Sequence, residues 1–152
     1  MSIRRFIVMA CMVLMLTSCA TDKYGETFYG FSSNSNTDIG VKYLLGRGVK
    51  QDNKKAFYYF SQGAAKGDPI AQNELGYMYA AGKGTERNYG KAFVYYHQAA
   101  SHGLASAQYN LGLLYLRGLG TPANKAKALE WFKKSADAGF EPAKLAVTRY
   151  ST

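Results

Sequence analysis

Ala71-Gln72-Asn73-Glu74-Leu75-Gly76-Tyr77-Met78-Tyr79-Ala80-Ala81-Gly82-Lys83-Gly84-Thr85 opens a stretch, 71–106, that returns 36 residues later as 107–142 with no insertion or deletion. Ala71-Gln72 becomes Ala107-Gln108, Leu75-Gly76 becomes Leu111-Gly112, and Tyr79 becomes Tyr115. Gly82-x-Gly84-Thr85 becomes Gly118-x-Gly120-Thr121, Lys91-Ala92 becomes Lys127-Ala128, and Tyr95-Tyr96 becomes Trp131-Phe132. One period upstream, a weaker copy carries Ile39-Gly40, Tyr43, Gly46-x-Gly48, Lys55-Ala56, Tyr59-Phe60 and Gly67. Downstream, Ala143 and Val147 fall in register before the chain stops. A fixed period of this length is the mark of stacked supersecondary units, each unable to bury its apolar face alone.

Two helical patterns fill each copy. Ala71, Leu75, Met78 and Tyr79 form one apolar stripe on a 3.6-residue period, and Ala92, Phe93, Tyr96, Ala99 and Ala100 form the second. Gly82-x-Gly84 separates them and Gly103 ends the second, since glycine reaches the left-handed conformation without a Cβ penalty. The reading predicts first-type helices at 38–45, 70–81, 105–117 and 143–150, and second-type helices at 54–65, 89–101 and 125–138. Asp52, Asn88 and Asn124 stand where N-caps belong. Gly40, Gly76 and Gly112 lie inside helices, where glycine costs about 1 kcal/mol against alanine. Their recurrence predicts a large ring packed against each.

The string Ala-x-Ala-Gln-Tyr-x-Leu-Gly-x-Leu-Tyr-x-x-Gly-x-Gly at 105–120 resembles the Sel-like repeat (SLR), a relative of the tetratricopeptide repeat. Lys127-Ala128-x-x-Trp131-Phe132-x-x-Ser135-Ala136-x-x-Gly139 is similar to that family's second helix. Thr85 and Thr121 stand where the family often has Val. The resemblance implies an all-α fold: a right-handed αα-hairpin solenoid of three 36-residue units, at about 35–70, 71–106 and 107–142, with a capping helix at 143–152. The whole domain then spans 38–152. Three units with a closing helix are near the minimum for an independent stack.

Residues 1–18 read as an export signal. Arg4 and Arg5 precede an unbroken apolar run of 11 residues, 6–16. That is shorter than the ~20 residues a spanning helix needs and fits the apolar core of a signal peptide. Leu16-Thr17-Ser18-Cys19 resembles the bacterial lipobox, which implies that Cys19 is acylated and becomes the first mature residue. Such an anchor makes release from a bilayer very slow. Ala20, in place of the Asp that commonly retains lipoproteins at the inner membrane, favours the outer membrane, facing the periplasm. Both cysteines, Cys11 and Cys19, lie in this leader, so no disulfide framework holds the repeats.

Residues 19–37 form the tether. Its polar run Ser32-Ser33-Asn34-Ser35-Asn36-Thr37 favours loop over helix. A flexible tether of this kind spans roughly 20–25 Å. Tyr24, Phe28, Tyr29 and Phe31 support the other reading, in which the segment folds back onto the first repeat.

Cleavage before Cys19 removes Arg4 and Arg5, so the net charge falls from +9 to +7. That balance draws anionic surfaces or acidic proteins, and export argues against a nucleic-acid partner. The cations are scattered, mostly on what should be solvated faces of the second helices. No catalytic set, cofactor motif or metal-ligand spacing emerges. His97 and His102 lie about 140° apart around one helix, too far to share a metal. The Gly118-x-Gly120 pair is too short for a phosphate loop. No enzyme activity and no small-molecule substrate are expected.

The informative positions are those the core stripe leaves free. On the first helices these are Asn73, Tyr77 and Ala81, then Tyr109, Leu113 and Arg117. In tetratricopeptide-like stacks this face lines the concave groove that holds partner segments. Asn73, Tyr77, Tyr109, Leu113 and Arg117 are therefore the candidate partner-binding groove, with packing between adjacent first helices as the competing role. The function expected is a membrane-anchored scaffold or adaptor for a protein partner. The alternative, from likeness to small exported SLR proteins, is an immunity protein that neutralises a secreted phospholipase-type effector.

Overall fold

A computed structural model of the chain describes residues 20–21, 27–28 and 35–151. The proposed leader and Cys19 lie outside the described residues. The chain divides into two units, Met1–Ser33 and Asn34–Thr152. In the first, two-residue strands β1 (Ala20–Thr21) and β2 (Thr27–Phe28) pair antiparallel, with Ala20 opposite Phe28 and Thr21 opposite Thr27. The segment read as a tether thus contains a short ladder.

The second unit holds seven described helices: α1 (Asn36–Leu45), α2 (Asn53–Ala65), α3 (Pro69–Ala81), α4 (Tyr89–Ser101), α5 (Ala105–Arg117), α6 (Lys125–Asp137) and α7 (Glu141–Tyr150). Each packs chiefly on its neighbours in chain order, and α1 also meets α3. Such nearest-neighbour contact defines a solenoid. The unit is an αα-hairpin stack, α1/α2, α3/α4 and α5/α6, with α7 closing it.

Helix starts follow cap chemistry. Asp52 accepts from the Lys54 and Lys55 amides, Asn88 from Lys91 and Asn124 from Lys127, at 2.9–3.1 Å. The first helix begins two residues earlier than the sequence reading placed it. Ser35 makes a capping box with Asp38, so the polar run that reads as loop ends in a helix start. Asn36 and Thr37 are helical, and Thr37 is buried.

The core alternates small and large. Ala56, Ala71, Ala92, Ala107 and Ala143 are fully covered, as are Phe60, Leu75, Met78, Leu111 and Phe132. The helical glycines fit this pattern. A Cβ at Gly40 would lie 2.8 Å from the Phe60 ring, at Gly76 2.8 Å from the Tyr96 ring, and at Gly112 2.6 Å from the Phe132 ring. In every repeat the glycine receives the ring that follows it by 20 residues. The expected large neighbour is thus present three times.

The second glycine of each turn has a role beyond turning. Gly84 and Gly120 have positive φ, and a Cβ at either would run into the backbone that starts the preceding unit's second helix, at Asn53 and at Tyr89. These close approaches seat one hairpin on the next. Gly48, in the first unit, has nothing nearby.

Tyr79 and Phe93, assigned to the core stripes, are only half-buried. Tyr79 meets Phe57 edge-on at 5.4 Å and stacks on Tyr95 at 5.7 Å, and Phe93 meets Tyr115 edge-on at 5.3 Å. These rings run along the seam between second helices and first helices. Lys55, Lys91 and Lys127, one per repeat, place their ammonium groups 4.9–5.5 Å from the Tyr43, Tyr79 and Tyr115 rings. These lysines are therefore ring-capping groups and not merely solvated charge.

Candidate binding groove on the first helices

The first helices α1, α3, α5 and α7 carry the groove positions in strict register. Thr37, Asn73 and Tyr109 occupy one position, and Val41, Tyr77 and Leu113 the next position along the face. Leu45, Ala81 and Arg117 complete it.

The first of these positions is a joint between successive first helices. Thr37 donates its hydroxyl to the Asp68 carboxylate, which also caps α3. Asn73, only 8% exposed, accepts from the Asn110 side-chain amide at 3.1 Å and donates to Glu74 at 3.1 Å. Two periods after Thr37 and Asp68, Tyr109 and Phe140 replace that hydrogen bond with a ring contact at 5.5 Å, and Tyr109 also meets Phe132 at 5.5 Å. Asn73 is thus held by the third repeat and Tyr109 by Phe132 and Phe140 of its own repeat, and neither lines the opening described next.

Tyr77, Leu113 and Arg117 do come together. They line a cavity of about 250 Å³ with Tyr89, Tyr96 and Asn110, between the second and third units. Tyr77 is 36% exposed, a large ring left at the surface on the same helix as the buried Leu75 and Met78. Arg117 is exposed at the end of α5, where its charge also suits the helix C-terminus. Tyr96 forms part of the wall. Burial, with the charge of Glu74 and the hydroxyl of Tyr77 nearby, pushes its phenol far up, so it stays a neutral donor.

Sequence reasoning overlooked four contributors. Lys83 sits 5.1 Å from the Tyr77 ring centroid, and Arg87 sits 5.7 Å from that of Tyr89. Both come from the α3–α4 turn, and because the α1–α2 turn also carries two cations, Arg47 and Lys50, residue type alone did not single them out. Glu74 and Asn110 share a register position that breaks the apolar pattern of the first helices. Burial pushes the Glu74 carboxyl above the ordinary carboxylate range, and the Asn73 hydrogen bond only partly offsets this.

His97 rests between Phe93 at 6.1 Å and Trp131 at 6.0 Å. Among the described residues, no three of His, Cys, Asp and Glu gather as a metal would require, and no helix is long and apolar enough to cross a membrane.

The Sel1 repeat model matches the chain three times, at 33–68, 69–104 and 105–140, each unit two residues ahead of the boundaries drawn from the sequence. A Sel1 repeat protein from Oxalobacter formigenes superposes with a TM-score of 0.68 at 36% identity, over 75% of this chain and 86% of that one. A protective antigen of uropathogenic Escherichia coli strains with an SLR fold gives 0.67 at 34% identity, over 68% of this chain but 22% of the antigen. Cysteine rich protein B of Helicobacter pylori shares the fold, with a TM-score of 0.61 at 22% identity over 93% of this chain and 95% of that one. No curated protein was found to match. Sel1 repeats generally serve as non-catalytic scaffolds for protein–protein interaction. Three tandem matches and a 36% identical solved relative spanned over most of its length establish that the chain belongs to the Sel1 repeat family.

Proposed function

We propose that this protein is a non-catalytic adaptor, lipid-anchored at Cys19 to the outer membrane and facing the periplasm, that docks a protein partner against its first helices. The observation that carries the docking role is the opening where Tyr77, Leu113 and Arg117 converge. An exposed aromatic and an arginine around an apolar cavity are the side chains that dominate binding energy at protein interfaces. The anchor rests on the leader: two arginines, an 11-residue apolar run and a small-residue segment ending in cysteine.

Protein lacking residues 1–18 would serve as bait in an envelope extract, beside a Tyr77→Ala/Leu113→Ala variant. Loss of a captured partner by the double variant, with its helical signal intact, supports the groove. Retention of every partner overturns it. The identity of the partner separates an adaptor of envelope machinery from a neutraliser of a secreted effector. Incorporation of labelled palmitate into the full chain, abolished by Cys19→Ser, tests the anchor, and unlabelled full chain refutes it.

A further inference from the structure

The rim of the Tyr77–Leu113–Arg117 opening is charged on one side of the balance. Arg117 lines the cavity itself. Lys83 and Arg87 lie over Tyr77 and Tyr89, two rings of its wall. The nearby acid in the same turn is Glu86, exposed between them. Glu74, close to Tyr96 and Tyr77, is a second acid, part-buried behind the rim. Three cations, Lys83, Arg87 and Arg117, against two acids, Glu86 and Glu74, leave this rim positive. The closing helix extends the trend, since Arg149 of α7 occupies the register position of Tyr77 and Leu113. The groove face therefore passes from apolar at Val41 and Leu45 to cationic at Arg117 and Arg149.

From this, and resting on the docking role above, we propose that the pocket selects an acidic peptide segment: an apolar side chain seated between Tyr77 and Leu113, flanked by Asp or Glu side chains that meet Lys83, Arg87 and Arg117. Cations at three separate points of the rim call for several carboxylates, which acidic side chains supply and a single chain terminus does not. Complementary charge at a rim sets partner choice and encounter rate. A guanidinium at the mouth of a partly desolvated pocket also offers two donors to one carboxylate.

The test uses two fluorescein-labelled nonapeptides and protein lacking residues 1–18. One peptide has a central leucine flanked by glutamates; the other has glutamines in their place. Fluorescence anisotropy should show the glutamate peptide binding at least about tenfold more tightly at low salt, with the advantage shrinking as salt is raised. Lys83→Gln/Arg87→Gln/Arg117→Gln should erase the difference between the peptides, while Lys125→Gln/Lys133→Gln, cations on α6, should leave it. Equal affinity for the two peptides, or an advantage untouched by the triple substitution in a protein with unchanged helical signal, overturns the proposal. Those results would still leave partner capture by the Tyr77–Leu113 surface standing, and loss of capture alone would not restore the acidic preference.

Discussion

Gly112→Ala probes the rule that builds every repeat. In an ordinary helix the change stabilises by about 1 kcal/mol. Here the new Cβ would stand 2.6 Å from Phe132 Cε1, 2.7 Å from its Cδ1 and 3.2 Å from the Ala128 carbonyl oxygen. The ring is fully buried, so it can give way only by pushing α6 or the core beyond it. Overpacking of this kind costs about 1–3 kcal/mol and outweighs the propensity gain. The expected net loss is up to about 2 kcal/mol, at most roughly 8 °C in melting midpoint for a domain of this size. Gly90→Ala is the control. Its Cβ would meet only Asn88 Oδ1 at 3.4 Å, so it should gain up to about 1 kcal/mol. Urea unfolding followed by circular dichroism gives both values. Adding Phe132→Leu to Gly112→Ala should cost less than the two single losses together, because the smaller side chain vacates the space the methyl needs. A Gly112→Ala protein as stable as Gly90→Ala, or strict additivity with Phe132→Leu, would refute the reasoning.

Gly120→Ala should cost more than Gly112→Ala, because the new Cβ meets the Tyr89 backbone at positive φ and the obstacle cannot rotate away; a smaller loss in the same urea series would show that the hairpins seat differently. Asn124→Ala should lower stability by about 1 kcal/mol through the lost cap on the Lys127 amide, with a similar value for Asn88→Ala, since the caps are equivalent. Glu74→Gln bears on pH. Burial raises the folded-state pKa of Glu74 above its unfolded value, so its contribution is complete below the unfolded pKa and is lost as pH rises through the folded pKa. The glutamine variant should melt higher than the parent at pH 7 and lose that advantage at acidic pH; an advantage constant with pH would point to a cause other than ionisation.

The period of 36 made the architecture legible because identical neighbours impose identical environments. Helix ends followed from Gly and Asx chemistry, and the ring behind each helical glycine followed from its recurrence. What escaped was set between units. The sequence gives no direct sign that Gly84 and Gly120 abut the preceding hairpin, because a turn glycine looks the same whether its outer side is open or filled. The joint at Thr37, Asn73 and Tyr109 escaped for a different reason. It is made polar in two copies and aromatic in the third, so residue type alone does not reveal a shared role. Asn73 and Tyr109 read as groove residues because helical geometry puts them on the first-helix face, and only the placement of the next first helix shows that they are held there. Tyr77, Leu113 and Arg117 lie one and two turns further along, where that helix leaves an opening.

Site-specific photocrosslinking in the living cell tests the docking face most directly. A photoreactive phenylalanine analogue at Tyr77 or Leu113 should give a discrete adduct with a partner protein. The same analogue at Val94, exposed on the outer face of α4, should give none. Adducts from Val94 with silence at both first-helix positions would place the binding surface on the second helices and contradict the account.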